Sequence, residues 1–310
     1  MQTFKKILVA TDTRYEEQPL ISEGARLAAQ NNAQLTLVDV LPDFSWPVKM
    51  RIKDHEHICD LIAAEKAKKL QELAQPLAQK GIKVETSVLR GHTSVEIIRE
   101  VLRGGYDLVM KVTKGKNSRE ETFYGRTGKR LLRKCPCAVW LIKPDGDAVY
   151  KTIVASLDTS SEDKTDQALN SQVFRLASAI SKSHGGQLFV THAWSIWNES
   201  MLHSHMSKED FVSLQKDAYT QAETMLNEFL KSEGSDAKHE NIALLKGEPS
   251  IVIPEFLNQK QADLLVMGTV GRSGITGVVM GNTAERILDR VQCAVLAVKP
   301  AGFVCPIKLT

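Results

Sequence analysis

The residues best suited to ligand binding lie in the second half of the chain, around three spaced glycines. Gly268, Gly271 and Gly281 form a G-x2-G-x9-G pattern. Glycines at 268 and 271 allow a flat ligand or a phosphate to approach the backbone, and Gly281 precedes a predicted helix whose first amides have no partner inside the helix. The pattern is typical of an anion-binding loop. Its alternative is an ordinary tight loop with a helix cap.

Polar side chains accompany these glycines. Asn282 and Thr283 are suited to contact phosphate oxygens, and Arg272 supplies positive charge. Asp158 follows the first predicted strand of this half, where it would face a ribose hydroxyl or a metal-bound water. No residue is assigned to catalysis, and no metal ligand set is predicted. The predicted binding residues are Ser156, Leu157, Asp158, Ala193, Met267, Gly268, Gly271, Arg272, Gly281, Asn282 and Thr283.

The elements that must position these residues alternate between strand and helix. In the first half, apolar runs predict strands at 7–11, 35–40, 84–89, 108–113 and 138–143, and helical periodicity predicts helices at 17–30, 54–80, 94–102 and 128–133. Apolar strands joined by helices imply a parallel sheet covered on both faces. The fold class is therefore α/β and doubly wound, and such sheets bind ligands beyond the carboxyl ends of their strands.

The chain is a tandem repeat. Residues 107–144 align without a gap on residues 263–300, and residues 6–12 align on residues 152–158. A turn-rich junction, Pro144-Asp-Gly-Asp147, separates the copies. We predict two domains, at 1–146 and 147–310.

Composition excludes several classes of protein. In 310 residues, 43% are hydrophobic and 25% charged, as in an average globular protein, and the formal net charge of +3 is too small for a nucleic-acid-binding surface. No apolar run reaches the roughly 18 residues of a membrane span, and no signal-peptide cleavage site follows Met1. We expect a cytoplasmic protein that binds no nucleic acid.

The cysteines and histidines give weaker signals. Five cysteines do not form a disulfide framework, and Cys135-Pro-Cys137 lacks the two-residue spacer of redox and zinc motifs. We expect one helix-end and one strand cysteine, on opposite faces. The pairs His55/His57 and His203/His205 are spaced by two, which spreads them around a helix. They are interpreted as solvated polar positions, with a zinc site as the alternative.

At the glycine pattern the sequence resembles the universal stress protein family, whose ATP-binding members carry G-x2-G-x9-G and then a small polar residue. The segment Met280-Gly-Asn-Thr-Ala-Glu-Arg-Ile-Leu resembles the tandem-domain members of that family. The resemblance implies five-stranded sheets of order 3-2-1-4-5, with adenine near Asp158 and Ala193. It further implies that the loop from Gly271 to Thr283 holds the phosphates of ATP, with or without magnesium.

The first copy departs from this pattern. Val112 replaces Gly268, Lys111 replaces Met267 and Arg126 replaces Asn282, although Gly115 and Gly125 are kept. We expect Val112 to occupy space that the ligand needs. Nucleotide binding is therefore predicted in the second copy only, and the nucleotide motif of the first copy is degenerate.

The leading functional hypothesis is an ATP-binding stress-response sensor or adaptor that is not a metabolic enzyme. Two alternatives remain open: a lipid or fatty-acyl binding protein, in which tryptophans and methionines line an apolar cavity and the nucleotide motif is a relic, and a slow ATPase. The apolar fifth strands, 137–143 and 293–299, lie at sheet edges in the implied order. They are predicted to pair into an intrachain pseudo-dimer, with a weaker tendency to form a homodimer.

Overall fold

The computed structural model describes residues 4–14, 19–43, 54–113, 123–144, 149–235, 241–269 and 280–309. The chain forms two compact units. The N-terminal unit comprises Met1–Ala148 together with Phe303–Thr310, and the C-terminal unit comprises Val149–Gly302. The C-terminal segment thus packs with the first unit, whereas the sequence-based division places it in the second. In that segment the Cys305 thiol lies 3.3 Å from the Lys134 carbonyl oxygen.

The N-terminal unit is a parallel sheet with intervening helices. Its strands run in the order β3-β2-β1-β4-β5. This is the 3-2-1-4-5 order that the family resemblance implies. The elements are β1 (Lys6–Ala10), α1 (Pro19–Asn31), β2 (Gln34–Leu41), α2 (His55–Gln79), β3 (Val84–Arg90), α3 (Thr93–Gly104), β4 (Leu108–Val112), α4 (Arg126–Lys134) and β5 (Ala138–Ile142).

The C-terminal unit repeats this plan, with strand order β8-β7-β6-β9-β10. It adds a short helix, α6, that the sequence analysis does not predict. The elements are β6 (Thr152–Leu157), α5 (Lys164–His184), β7 (Gln187–Trp194), α6 (Glu199–His205), α7 (Lys208–Ser232), β8 (Ile242–Lys246), α8 (Pro249–Gln259), β9 (Leu264–Gly268), α9 (Asn282–Arg290) and β10 (Ala294–Val298).

The central strands are apolar because helices cover both sheet faces. Ile7, Leu8 and Val9 of β1 are fully buried, as are Leu264 and Leu265 of β9. At the amino end of each sheet, a carboxylate joins two neighbouring strands: Asp107 accepts the amides of Lys5 (2.7 Å) and Lys6 (3.2 Å). Asp263 accepts those of Lys151 (2.8 Å) and Thr152 (2.9 Å). These contacts hold β1 against β4, and β6 against β9.

Strand order reverses between β1 and β4, and between β6 and β9. The connection that follows the first strand of each pair runs towards one edge of the sheet, and the connection that follows the second runs towards the other edge. In open α/β sheets, the crevice at the carboxyl ends of such strands is where ligands bind. Each unit therefore has one such crevice. Among the helices that the structure describes, none is long and apolar enough to cross a membrane.

Candidate functional site

In the C-terminal unit, the ends of β6 and β9 bring most of the predicted residues together. Ser156 pairs with Met267 across the two strands, and Leu157 pairs with His192 of β7. Asp158 and Gly268 follow at the same edge, and Ala193 is adjacent to His192 in β7. Gly271 and Arg272 lie outside the described residues, so their predicted roles stay predictions.

The start of α9 lies beside this edge. The Gly281 amide donates to the Thr269 carbonyl at 2.9 Å, which ties the helix start to the residue after β9. Gly281 is the N-cap in an extended conformation, and as a glycine it has no side chain that could cap the helix. The first-turn amides, including those of Asn282 and Thr283, therefore lack intrahelical acceptors and carry the positive end of the helix dipole. This geometry suits an anion.

The turn after β6 is held by side-chain hydrogen bonds. The Asn170 side chain accepts from the Asp158 amide at 3.1 Å and donates to the Asp158 carbonyl at 2.7 Å. The Asp158 carboxylate accepts from the Ser160 hydroxyl at 2.5 Å and is exposed at the carboxyl edge of the sheet. A fixed, exposed carboxylate at this position is suited to accept hydrogen bonds from ligand hydroxyls.

Below this turn lies a buried histidine, His192 of β7. Burial lowers the pKa of His192, with partial opposition from the Leu157 carbonyl and from Asp158. The His192 Nδ1 atom lies 3.3 Å from the Leu157 oxygen and 3.4 Å from the Thr159 amide nitrogen. His192 is only 3% exposed and lies in the interior of the C-terminal unit. It is a neutral structural group at neutral pH.

Two buried polar atoms near this edge have no partner among the described residues. They are the Thr159 hydroxyl oxygen and the indole Nε1 of Trp194, the last residue of β7. The Trp194 ring stands edge-on to Tyr219 of α7, with centroids 5.9 Å apart. Buried polar atoms are normally satisfied by protein, water or ligand. These two therefore mark places where a ligand or water can add hydrogen bonds.

Gly268, whose predicted ligand role stays a prediction, also has a packing role. A Cβ at this position would lie 2.7 Å from Leu169 Cδ2 of α5. The absent side chain thus lets α5 pack closely on β9, on the helix side of the sheet. Its counterpart Val112 does not line the cleft of the N-terminal unit, whereas its neighbour Lys111 does. The expectation that Val112 occupies ligand space stays a prediction, and the lining of the cleft does not include this residue.

The N-terminal unit has a cleft of about 640 Å³ at the equivalent edge. The sequence analysis does not predict it, because it treats the first copy only as a degenerate nucleotide site. Five charged residues other than Arg126 line the cleft together with threonines and the first residues of α4. The lining includes the charged residues, two of the threonines and the start of α4: Asp12, Arg14, Asp39, Lys66, Lys111, Thr113, Gly125, Arg126 and Thr127.

Two ion pairs account for the acids of this cleft. Arg14 donates to both oxygens of Asp12, at 2.7 and 2.5 Å. Burial raises the pKa of Asp12, but the hydrogen bonds and charge of Arg14 outweigh it, so the pKa is lowered. Asp39 accepts from Lys66 at 2.6 Å and from the Thr13 hydroxyl and amide at 2.6 and 2.9 Å. Both carboxylates are thereby neutralised locally.

Of the five corresponding positions of the C-terminal unit, only that of Asp12 keeps an acid or a base, Asp158. Asp39 is replaced by His192, Lys111 by Met267 and Arg14 by Ser160. Lys66 and Tyr219 occupy the same position counted from the start of α2 and α7. The two units thus share a backbone plan but differ in side-chain chemistry: two ion pairs line the cleft of the first, whereas the second keeps the acid Asp158 and has His192 and Met267 at the other positions.

The cysteine and histidine pairs form no metal site in the part of the chain that the structure describes, where no cluster of three potential ligands occurs. The His203 ring stands edge-on to Phe211, with centroids 4.8 Å apart, and His205 Nδ1 lies 2.9 Å from the Met201 oxygen. Cys135 caps the end of α4, and its sulfur lies 3.5 Å from that of Cys137. These two sulfurs are in contact rather than on opposite faces.

Comparison with known proteins places both units in one family. The sequence model of the universal stress protein family matches residues 3–143 and 150–299. Universal stress protein E of Escherichia coli K12 is 27% identical over 322 residues, covering 100% of this chain and 98% of the relative. The protein of the same name from Photorhabdus laumondii is 26% identical, with 99% of each chain covered.

Solved structures show the same fold over nearly the whole chain. A Pseudomonas aeruginosa protein has a TM-score of 0.72 at 22% identity and covers 96% of this chain and 94% of its own. A universal stress protein from Archaeoglobus fulgidus has a TM-score of 0.61 at 18% identity, with coverage of 95% and 98%.

Proposed function

The chain belongs to the universal stress protein family, and we propose that its C-terminal unit binds adenine nucleotide, with ATP as the ligand. In this proposal the protein acts as a stress-response sensor or adaptor, and nucleotide occupancy is the signal that it reports. The observation that carries the proposal is the uncapped start of α9 beside the exposed carboxylate of Asp158, at the reversal of strand order.

Each part of ATP has a matching group at this edge. The amides of Asn282 and Thr283 point along the helix dipole and suit phosphate oxygens. The Asp158 carboxylate suits a ribose hydroxyl, and in this proposal the adenine lies near Ala193, at the end of β7. His192 and Met267 stand where the N-terminal unit has the charged residues Asp39 and Lys111.

The described residues favour retention of the nucleotide over its turnover. His192 faces the backbone of the β6 turn and is kept neutral by burial, so it is poorly placed to activate a water molecule at the phosphates. Asp158 is engaged by Ser160. A binding protein needs only the contacts above, which agrees with a sensor or adaptor.

A substitution at the helix cap tests this proposal without disturbing the fold. In Gly281→Asp, the new carboxylate caps the α9 amides and repels phosphate, while Asp is among the residues that N-caps favour. The matched control is Gly125→Asp, because Gly125 is the equivalent uncapped N-cap of α4. We expect ATP to raise the melting temperature of the wild type and of G125D, but not of G281D.

Two results would contradict the proposal: equal stabilisation of G281D and wild type by ATP, or no stabilisation of any variant at millimolar ATP. Loss of the effect in G125D alone would transfer nucleotide binding to the N-terminal unit.

A further inference from the structure

Two cysteines at the end of α4 have no part in the proposed nucleotide site. Cys135 is the residue that ends α4, and Cys137 lies just before β5. Their sulfur atoms are 3.5 Å apart. Cys135 is fully buried, whereas Cys137 is partly exposed. Two thiols in contact, one of which solvent can reach, are arranged to react with each other.

The C-terminal unit shows that this fold does not require a thiol at the end of the helix. The repeat aligns Val291 with Cys135. The Cys135 amide donates to the Leu131 carbonyl at 2.9 Å, and the Val291 amide donates to the Ile287 carbonyl at 3.1 Å. Val291 is also buried, with 2% of its surface exposed. Valine therefore serves the packing role at this position, and the sulfur of Cys135 calls for another explanation.

A third thiol lies next to the pair without completing a metal site. The Cys305 thiol donates to the carbonyl oxygen of Lys134, the residue before Cys135, at 3.3 Å. Within the described ranges, no group of three Cys, His, Asp or Glu side chains is suited to hold a metal ion. Protein zinc sites use three or four such ligands. The chemistry that suits two sulfurs in contact is the formation of a disulfide bond.

The geometry of the pair is compatible with that bond. An S–S bond is about 2.05 Å long, so the sulfurs must approach by roughly 1.5 Å from their separation of 3.5 Å. Residues two positions apart lie at most about 7 Å apart between Cα atoms, and disulfides span about 4.4–6.8 Å. Side-chain rotation and a small adjustment around Pro136 are therefore sufficient.

The surroundings of the pair make it a slow nucleophile. The hydrogen bond to Cys135 and burial both raise the pKa of the Cys137 thiol. Burial also raises the pKa of the neighbouring Cys305 thiol. Because the thiolate is the reactive form, the pair reacts slowly with oxidants at neutral pH. Such a pair suits a response to sustained exposure to oxidant and is unsuited to rapid turnover.

We propose that Cys135 and Cys137 form an oxidant-sensitive dithiol, a modification site at which hydrogen peroxide converts the two thiols into an intramolecular disulfide. The inference does not rest on nucleotide binding by the C-terminal unit.

The reaction has two steps. The Cys137 thiolate attacks one oxygen of hydrogen peroxide, the O–O bond breaks, and hydroxide leaves as Cys137 becomes a sulfenic acid. Cys135 then attacks the Cys137 sulfur, the S–O bond breaks, and the oxygen leaves as water with the Cys135 proton. The hydroxide takes up the proton that Cys137 has lost. Two thiols and one peroxide thus give one disulfide and two water molecules.

The test treats the reduced full chain with hydrogen peroxide, alkylates the remaining thiols in denaturant, and maps them by mass spectrometry after trypsin digestion. Peptide 135–151 contains both cysteines and no other, because trypsin cleaves after Lys134 but not before Pro144. We expect this peptide without alkyl groups and two hydrogen atoms lighter. The count of alkylated thiols per chain should fall by two, from five. Dithiothreitol should restore both thiols by exchange.

Variants separate the pair from its neighbours. Cys135→Val installs the residue found at position 291 and should leave Cys137 open to alkylation. Cys137→Ser, at a partly exposed position, should leave Cys135 open to alkylation, so a folding defect in one variant does not decide the test. The matched control is Cys305→Ser, which should form the bond as the wild type does. Cys293 aligns with Cys137 but has Val291 in place of a second thiol, and it should stay open to alkylation throughout.

Three outcomes would overturn the proposal: a wild-type peptide 135–151 that keeps both alkyl groups after oxidation, a disulfide that includes Cys305, or equal loss of Cys137 alkylation in the wild type and in C135V. The last result would indicate oxidation of a single thiol. Thermal stabilisation by ATP is measured separately, so failure here is distinguishable from failure of the nucleotide proposal.

Discussion

Asp39 and His192 occupy the same position in the two sheets, and each faces the backbone amide of a threonine, Thr13 or Thr159. The two threonine hydroxyls behave differently. Thr13 donates its hydroxyl to Asp39 at 2.6 Å, whereas the buried hydroxyl of Thr159 has no described partner. One exchange of acid for imidazole thus satisfies a hydroxyl in one unit and leaves it unsatisfied in the other.

This contrast predicts opposite effects for two identical substitutions. Thr13→Val removes a hydrogen bond to a charged acceptor and should lower the free energy of unfolding by about 1–3 kcal/mol. Thr159→Val removes an unsatisfied hydroxyl, and we expect unchanged stability or a gain of up to about 1 kcal/mol. Denaturant unfolding of both variants without ligand checks this. A larger loss for T159V than for T13V would show that the Thr159 hydroxyl is satisfied in the free protein.

Acidification should destabilise the C-terminal unit through His192. Its pKa in the fold is lowered from 6.5 by burial, so the unfolded chain binds the proton more tightly than the folded one. The stability that neutral His192 provides is present above pH 6.5 and is lost as the pH falls below it. Between pH 7.5 and pH 5.0, we expect the wild type to lose more stability than His192→Gln, which does not titrate. Parallel losses in the two proteins would argue against a buried neutral histidine.

Alkaline pH should relieve the cost of Lys111. Because burial lowers its pKa below 10.5, the unfolded state binds more protons than the folded state in the interval below that value. Stability therefore rises with pH there, relative to a variant without the amine. In a phosphate-free buffer, Lys111→Met should be more stable than the wild type at pH 7, and the difference should shrink towards pH 10.5. A difference that is independent of pH would show that Lys111 is not desolvated in the fold.

The stoichiometry of nucleotide binding follows from the same asymmetry. We expect about one ATP per chain by calorimetry, because a purine in the N-terminal cleft would desolvate the Arg14–Asp12 and Lys66–Asp39 ion pairs that line it. Two equivalent ATP sites per chain would refute this expectation.

Sequence patterns were sufficient to predict the fold of each unit, because long apolar strands and amphipathic helices carry strong periodic signals. The predicted helix at 54–80 is observed as His55–Gln79, and the strand at 84–89 as Val84–Arg90. The start of α4 at Arg126, two residues before its predicted start, follows from an N-cap glycine without a side-chain cap, which gives no sequence signal.

The site was harder to predict because its chemistry depends on which sheet face a residue points to. Val112 was expected to alter the ligand space, but its neighbour Lys111 lines the cleft. Asp39 and Lys66 are 27 positions apart and belong to different elements, so their ion pair is visible only in the folded chain. The sequence offered one signal for this difference between the units: Asp39 of β2 aligns with His192 of β7, so an acid in the first copy corresponds to an imidazole in the second.

The segment after β10 determines when the N-terminal unit can be completed during synthesis. Its last piece, beginning at Phe303, leaves the ribosome only after the whole C-terminal unit has been translated. The first sheet can form early, but the contact of Cys305 with the Lys134 carbonyl at the end of α4 forms only after residue 305 has been translated. A nascent chain stalled before residue 303 would thus present one finished unit and one open one.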